Sequence, residues 1–208
     1  VVACYGMNDG IYPPFSQRRF EIFQDGVNRL IKKVHAAGAK LVLMTPPPFD
    51  PVPLRKKKGA LRAADSKEFA YFGIYEHYDR DVISRFAKWV MQQEKRVEMV
   101  VDLHTPITRH LVEERKKNPA YTLSPDGVHP NPLGHRIIGD TVLLAWGVPS
   151  VTEPDAKLLG ILQAKTGVLH DAYLSAIGHK RPGVKKGLPP DQAEQKAEDL
   201  LKSARPLV

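Results

Sequence analysis

Asp126-Gly127-Val128-His129 places a carboxylate three residues before an imidazole. Pro125, Gly127, Pro130 and Pro132 surround the pair and favour a tight, rigid turn. A carboxylate that accepts the proton of one ring nitrogen fixes the histidine tautomer and frees the other nitrogen as a general base. A second segment, Gly6-Met7-Asn8-Asp9, follows an apolar run. An asparagine amide fixed at the end of a buried strand is a donor suited to a developing oxyanion. Taken singly, each segment also reads as turn chemistry, because Asn-Asp-Gly and Asp-Gly are turn formers. Their conjunction in one chain points to catalysis.

Other groups weigh less. Asp102, His104, His110, Asp126, His129 and His135 invite a metal reading, but their spacing matches no compact ligand motif. No metal and no other cofactor is expected. Asp102 and His104 stand at a strand end, where His104 borders a pocket or serves structure. Pro46-Pro47-Pro48 reads either as a chain reversal or as pocket lining, and Gly6 and Asp9 share that second reading. Ser124 is close to Asp126, yet it belongs to the loop that must hold acid and base.

The elements that would position these groups are legible as alternating patterns. Val1 to Tyr5, Lys40 to Thr45 and Val97 to Leu103 read as buried strands. Ser16 caps a helix whose Phe20, Phe23, Val27, Leu30, Ile31 and Val34 recur at helical spacing, with Gly38 as the stop. A long helix is expected from about Ser66 to Lys95, broken near Gly73. Thr105-Pro106 and Asn131-Pro132 read as caps with proline at the first helical position, opening helices to about Lys117 and to Trp146. Trp89, Trp146 and Cys4 are expected in the core. Strands alternating with helices imply a parallel sheet covered on both faces. Ligands in such folds bind beyond the carboxyl ends of the strands, where Gly6–Asp9, Pro46–Pro48 and His104 all fall.

The pattern changes after Pro149. Residues 1–149 form the expected main domain and 150–208 a helical extension. That extension has one helix from Pro154, with Leu158, Leu162, Leu169, Tyr173 and Ile177 near one face, a loop Gly178–Gly183, and a helix from Pro190 to Ala204.

The 208 residues hold 42% hydrophobic and 26% charged residues, which excludes a disordered or fibrous chain. A single cysteine excludes an internal disulfide framework. The net charge of +8 is dispersed apart from Arg55-Lys56-Lys57-Lys58, with no interleaved aromatics, so no nucleic-acid partner is expected. No apolar run approaches the ~18 residues of a membrane span.

On these motifs the chain resembles the SGNH, or GDSL-like, hydrolase family over residues 1 to about 147. Gly6-Met7-Asn8-Asp9 is similar to the family's third block, and Asp126-Gly127-Val128-His129, continued by Pro130-Asn131-Pro132-Leu133-Gly134-His135, to its fifth. The resemblance implies a three-layer α/β/α sandwich of flavodoxin-like type and a serine ester hydrolase acting on a small-molecule, lipid or carbohydrate ester. It implies Asp126 as triad acid, His129 as base and Asn8 as oxyanion donor. It also implies an exported or periplasmic location.

The family's nucleophile lies in a Gly-Asp-Ser block upstream of the Gly-x-Asn-Asp block, and an oxyanion glycine lies between them. Here the chain opens at Val1, next to the third block. None of Ser16, Ser66, Ser84, Ser124, Ser150, Ser175 or Ser203 stands in a Gly-Asp-Ser context. The expectation is a domain lacking its N-terminal part, with no nucleophile among these residues and no activity from them alone. Two other readings stay open. One is a non-catalytic carbohydrate-binding relative that uses Arg55–Lys58, and the other is a metal-dependent phosphoesterase.

Overall fold

The computed structural model describes residues 1–149, 155–180 and 185–207. Short apolar runs form strands β1 (Val2–Cys4), β2 (Val42–Met44), β3 (Leu61–Arg62), β4 (Ile74–Tyr75) and β5 (Met99–Val101). Strands β1, β2 and β5 make one parallel sheet in that order, with Val2 opposite Val42 and Val42 opposite Met99. Parallel neighbours need long crossovers, and helices supply them. The helices are α1 (Gln17–Ala36), α2 (Ser84–Met91), α3 (His104–Arg115), α4 (Pro132–Ala145), α5 (Ala156–Ala176) and α6 (Pro190–Ala204). The chain divides into two compact units, Val1–Ser150 and Val151–Val208.

In the first unit the side-chain period of two sorts the strands between two cores. On one face Ala3 and Leu43 pack with Phe23, Val27, Ile31 and Val34 of α1 and with Phe86 and Val90 of α2. Phe23 stacks on Phe86 with ring centroids 4.5 Å apart. On the other face Val42, Met44, Met99 and Val101 meet Ile107 and Leu111 of α3 and Ile137, Ile138 and Val142 of α4. The result is the expected α/β/α layering around a parallel sheet. Ser16 caps α1, its side chain accepting from the Arg19 amide, and the Asn131 side chain caps α4 through Gly134 N at 2.8 Å.

Several expectations need correction. Residues 66–77 are not helical. Ile74 N donates to Ala60 O and Glu76 N to Arg62 O, so the aromatic stretch Phe69–Tyr75 pairs with the preceding segment. Its β-favouring residues outweigh their helix-like spacing. A π-helical turn, Asp79–Ile83, then leads into α2. Helix α3 begins at His104 rather than at a Thr105 cap, and Asp102 Oδ1 instead accepts from Thr105 N at 3.1 Å. Trp146 is exposed because it caps the C-terminus of α4, beyond the buried stripe. Cys4 is also exposed, its thiol directed at Thr45 O. Among the described residues only β2 pairs with β1, and the second core includes no β1 residue.

The second unit is a pair of packed helices. Ala172 of α5 and Ala193, Ala197 and Ala204 of α6 are buried, so small side chains let the helices approach closely. Of the apolar stripe expected on α5, Leu162, Tyr173 and Ile177 are exposed. Asp155 caps α5 through Leu158 N. Ser150, Pro154 and the Arg181–Gly183 end of the expected loop lie outside the described residues. Among those described, no helix is long and apolar enough to cross a membrane.

Candidate functional site

The segment after β1 is a folded loop with few degrees of freedom. Gly6 has φ +129°, and a Cβ there would stand 2.9 Å from Pro46 Cγ. Its N–H donates to Asp9 Oδ2 at 2.9 Å, while Ile11 N donates to Asn8 O at 3.1 Å. Ile11 and Tyr12 have φ of +48° and +69°, the two non-glycine residues with positive φ among those described. The Tyr12 hydroxyl donates to Asn8 Oδ1. Its ring packs on Tyr78 at 5.6 Å, and Tyr78 Oη donates to Met7 O at 2.7 Å. Asn8 itself is exposed, and among the described residues no hydrogen bond reaches its Nδ2.

The second segment of interest turns on Gly127. Its φ is +80°, and its N–H donates to Ser124 O at 2.8 Å. Asp126 Oδ1 accepts from Val128 N at 3.0 Å and His129 N at 2.8 Å, and Oδ2 meets His129 Nδ1 at 2.7 Å. Partial burial alone would raise the Asp126 carboxyl. The bonds from the His129 ring, the His129 amide and the Val128 amide outweigh it and hold the group at about 2. Asp126 is therefore a carboxylate at neutral pH and can only accept, so the proton of this contact sits on His129 Nδ1. Nε2 is left as the basic nitrogen. The His129 side chain is 82% exposed, and no described residue bonds to Nε2.

What fixes this turn lies far away in sequence. Asp50, 2% exposed, donates its N–H to Gly127 O at 2.9 Å. Its Oδ2 accepts from Arg115 Nη2 and from Thr122 Oγ1, each at 2.6 Å. A Cβ on Gly127 would stand 2.6 Å from Asp50 O and 2.9 Å from Phe49 Cε2. Phe49 packs edge-on against Tyr78 at 5.8 Å, so one aromatic ring separates the Gly127 turn from the Tyr12–Tyr78 pair. The Tyr12 hydroxyl is pushed above its ordinary value, first by burial and then by the charge of Asp126.

The remaining residues singled out from the sequence fall in different places. Pro46 is buried against Gly6. Pro47 borders a small void with Ser124, Pro130 and Gly134, beneath the loop that carries the carboxylate and imidazole. Asp9 lines a groove of about 370 Å³ with Tyr5, Ile22 and Leu30. His104 Nε2 contacts Asp79 Oδ1 at 3.1 Å, and its backbone N–H donates to Thr45 Oγ1 at 3.0 Å. No hydrogen bond joins it to Asn8, Asp126 or His129. Lys57 of the basic loop reaches Pro125 O at 3.3 Å. Among the described residues no three His, Cys, Asp or Glu side chains are grouped as a metal would require.

Tyr12, Tyr78, Asp50, Arg115 and Thr122 were not legible as site residues. Tyr12 alone had a local signal, since an aromatic closes the Gly6–Pro14 turn in Asn8-Asp9-Gly10-Ile11-Tyr12-Pro13.

An imidazole fixed by a carboxylate, on a loop beyond the carboxyl end of a parallel α/β/α sheet, has the chemistry to take a proton from a hydroxyl. The GDSL-like lipase/acylhydrolase family model matches residues 1–137, and the chain belongs to this family. No curated protein matches the chain. A solved structure described as BT4096, a gut microbial diltiazem-metabolizing enzyme, shares 18% identity at a TM-score of 0.48. The match covers 70% of this chain and 32% of that one, so the chain spans about a third of the length of this neighbour.

Proposed function

We propose that these residues supply the acid, base and one oxyanion donor of a serine ester hydrolase. The observation that carries the reading is the 2.7 Å contact of Asp126 with His129 Nδ1, which leaves Nε2 open to solvent. In the reaction a serine hydroxyl gives its proton to Nε2 as its oxygen attacks the ester carbonyl. The carbonyl oxygen becomes an oxyanion, and Asn8 Nδ2–H donates to it. Collapse breaks the bond to the leaving alcohol, which takes the proton back from His129. Water then repeats the cycle on the acyl-enzyme and releases the acid. The substrate is a carboxylic ester of a small molecule, lipid or carbohydrate.

The nucleophile belongs outside these residues in this reading. No described serine is hydrogen-bonded to His129, and Ser124 is buried with its backbone committed to the turn. The test is labelling with a fluorophosphonate, alongside hydrolysis of a p-nitrophenyl ester by the whole protein. A label on a serine outside residues 1–208, lost with turnover in His129→Ala, is expected. A label on Ser124, or turnover untouched by His129→Ala and abolished by chelators, refutes the reading.

A further inference from the structure

We propose that Tyr12 is a positioning residue that orients the Asn8 amide for oxyanion donation, an inference that rests on the esterase reading. A hydroxyl set against the amide oxygen donates its proton there. That contact commits the amide oxygen and leaves Nδ2, to which no described residue bonds, as the only part of the amide able to stabilise negative charge. Without Tyr12 the exposed amide would rotate freely, and its oxygen would face an oxyanion in half of its orientations.

The loop is built around this contact. Tyr78 holds both ends, donating to Met7 O at 2.7 Å and packing on the Tyr12 ring at 5.6 Å. The Tyr12 carbonyl accepts from Tyr75 N at 2.9 Å. A Cβ on Gly10 would overlap the Tyr78 hydroxyl, so the glycine lets that ring pass between the two arms. The backbone conformation opposes the arrangement. Ile11 is β-branched and Tyr12 precedes Pro13, yet both sit at positive φ. Residues held in such regions persist only where surrounding contacts over-determine them, and they concentrate at functional sites. Here the surrounding contacts are Tyr75, Tyr78 and the Ile11–Asn8 turn.

Two measurements on the whole protein test this. In the first, Tyr12→Phe is made in wild type and in Asn8→Ala. Removing an oxyanion donor costs about 10²–10³-fold in kcat, so loosening one is expected to cost about 10-fold with KM unchanged. The same substitution in Asn8→Ala is expected to cost nothing further, because the amide it orients is gone. An equal loss in both backgrounds overturns the proposal. So does a loss confined to KM or to melting temperature.

The second measurement is NMR of the Asn8 side-chain amide, which needs no turnover. Tyr12→Phe is expected to shift its resonances and speed exchange of its two protons. Unchanged signals overturn the proposal. Turnover insensitive to Asn8→Ala and His129→Ala, with the NMR change intact, rejects the esterase reading and leaves the orienting contact standing.

Discussion

Replacing Gly127 by alanine tests whether the Asp126–His129 turn is clamped by the Phe49–Asp50 segment. The residue has φ +80°, which costs an L-residue roughly 1–2 kcal/mol. The added methyl stands 2.6 Å from the backbone oxygen of Asp50, and that oxygen belongs to a residue fixed by Arg115 and Thr122. Overpacking against such a neighbour costs typically about 1–3 kcal/mol. The sum is about 3 kcal/mol, or a fall of about 6–12 °C in melting temperature for a chain of this size. Gly38→Ala is the internal control. Its φ is +68° and nothing lies within 4 Å of its Cβ position, so only the conformational cost applies. Thermal denaturation of both variants isolates the steric part, expected as an extra loss of about 1–3 kcal/mol in Gly127→Ala. Nitrogen NMR of the imidazole should also move in Gly127→Ala and stay put in Gly38→Ala. Equal destabilisation by the two variants, with an unmoved imidazole signal, refutes the clamp.

Three further outcomes are expected. Arg115→Met strands the buried Asp50 carboxylate. With the Arg115 side chain 23% exposed, the loss falls at the lower end of the range for broken buried pairs, about 3 kcal/mol by urea denaturation. Thr45→Val removes the acceptor of Leu103 N at 2.8 Å and His104 N at 3.0 Å, at a site with no solvent access. Two unsatisfied amides should cost about 2 kcal/mol or more in the same assay. The folded-state carboxyl of Asp126 sits at about 2, below its ordinary 3.8. The stability it contributes is therefore present above pH 3.8 and is lost as pH falls toward about 2. The stability gap between wild type and Asp126→Asn should close over that window in acid titration.

Much of the fold was legible because its signals are local. The runs at β1, β2 and β5 end at Gly6, Pro46 and the start of α3, and Ser16 and Asn131 are caps that need no tertiary context. The contact of Asp126 with His129 is also local, since three residues within a proline-bounded turn bring the groups together. The Asp50–Arg115 and Asp50–Thr122 contacts span 65 and 72 residues, and no periodicity encodes them. Phe69 to Tyr75 misled because its aromatics recur at a spacing a helix would also show, while backbone pairing with Ala60 and Arg62 decides the outcome. Tyr12 sits in a turn that its sequence shows, but positive φ at a residue before proline runs against propensity, so its contact with Asn8 is not encoded locally.

The left-handed backbone at Ile11 is a reserve of stability that this sequence leaves unused. Its side chain is exposed, so nothing in the core demands isoleucine there. A screen for thermostability should favour Ile11→Gly, which relieves the φ of +48° at little packing loss. Glycine takes this φ without strain and keeps the backbone bond from residue 11 to Asn8 O, so the Tyr12–Asn8 contact should persist in the variant. Selection for heat resistance could then act at this one codon without a cost in turnover.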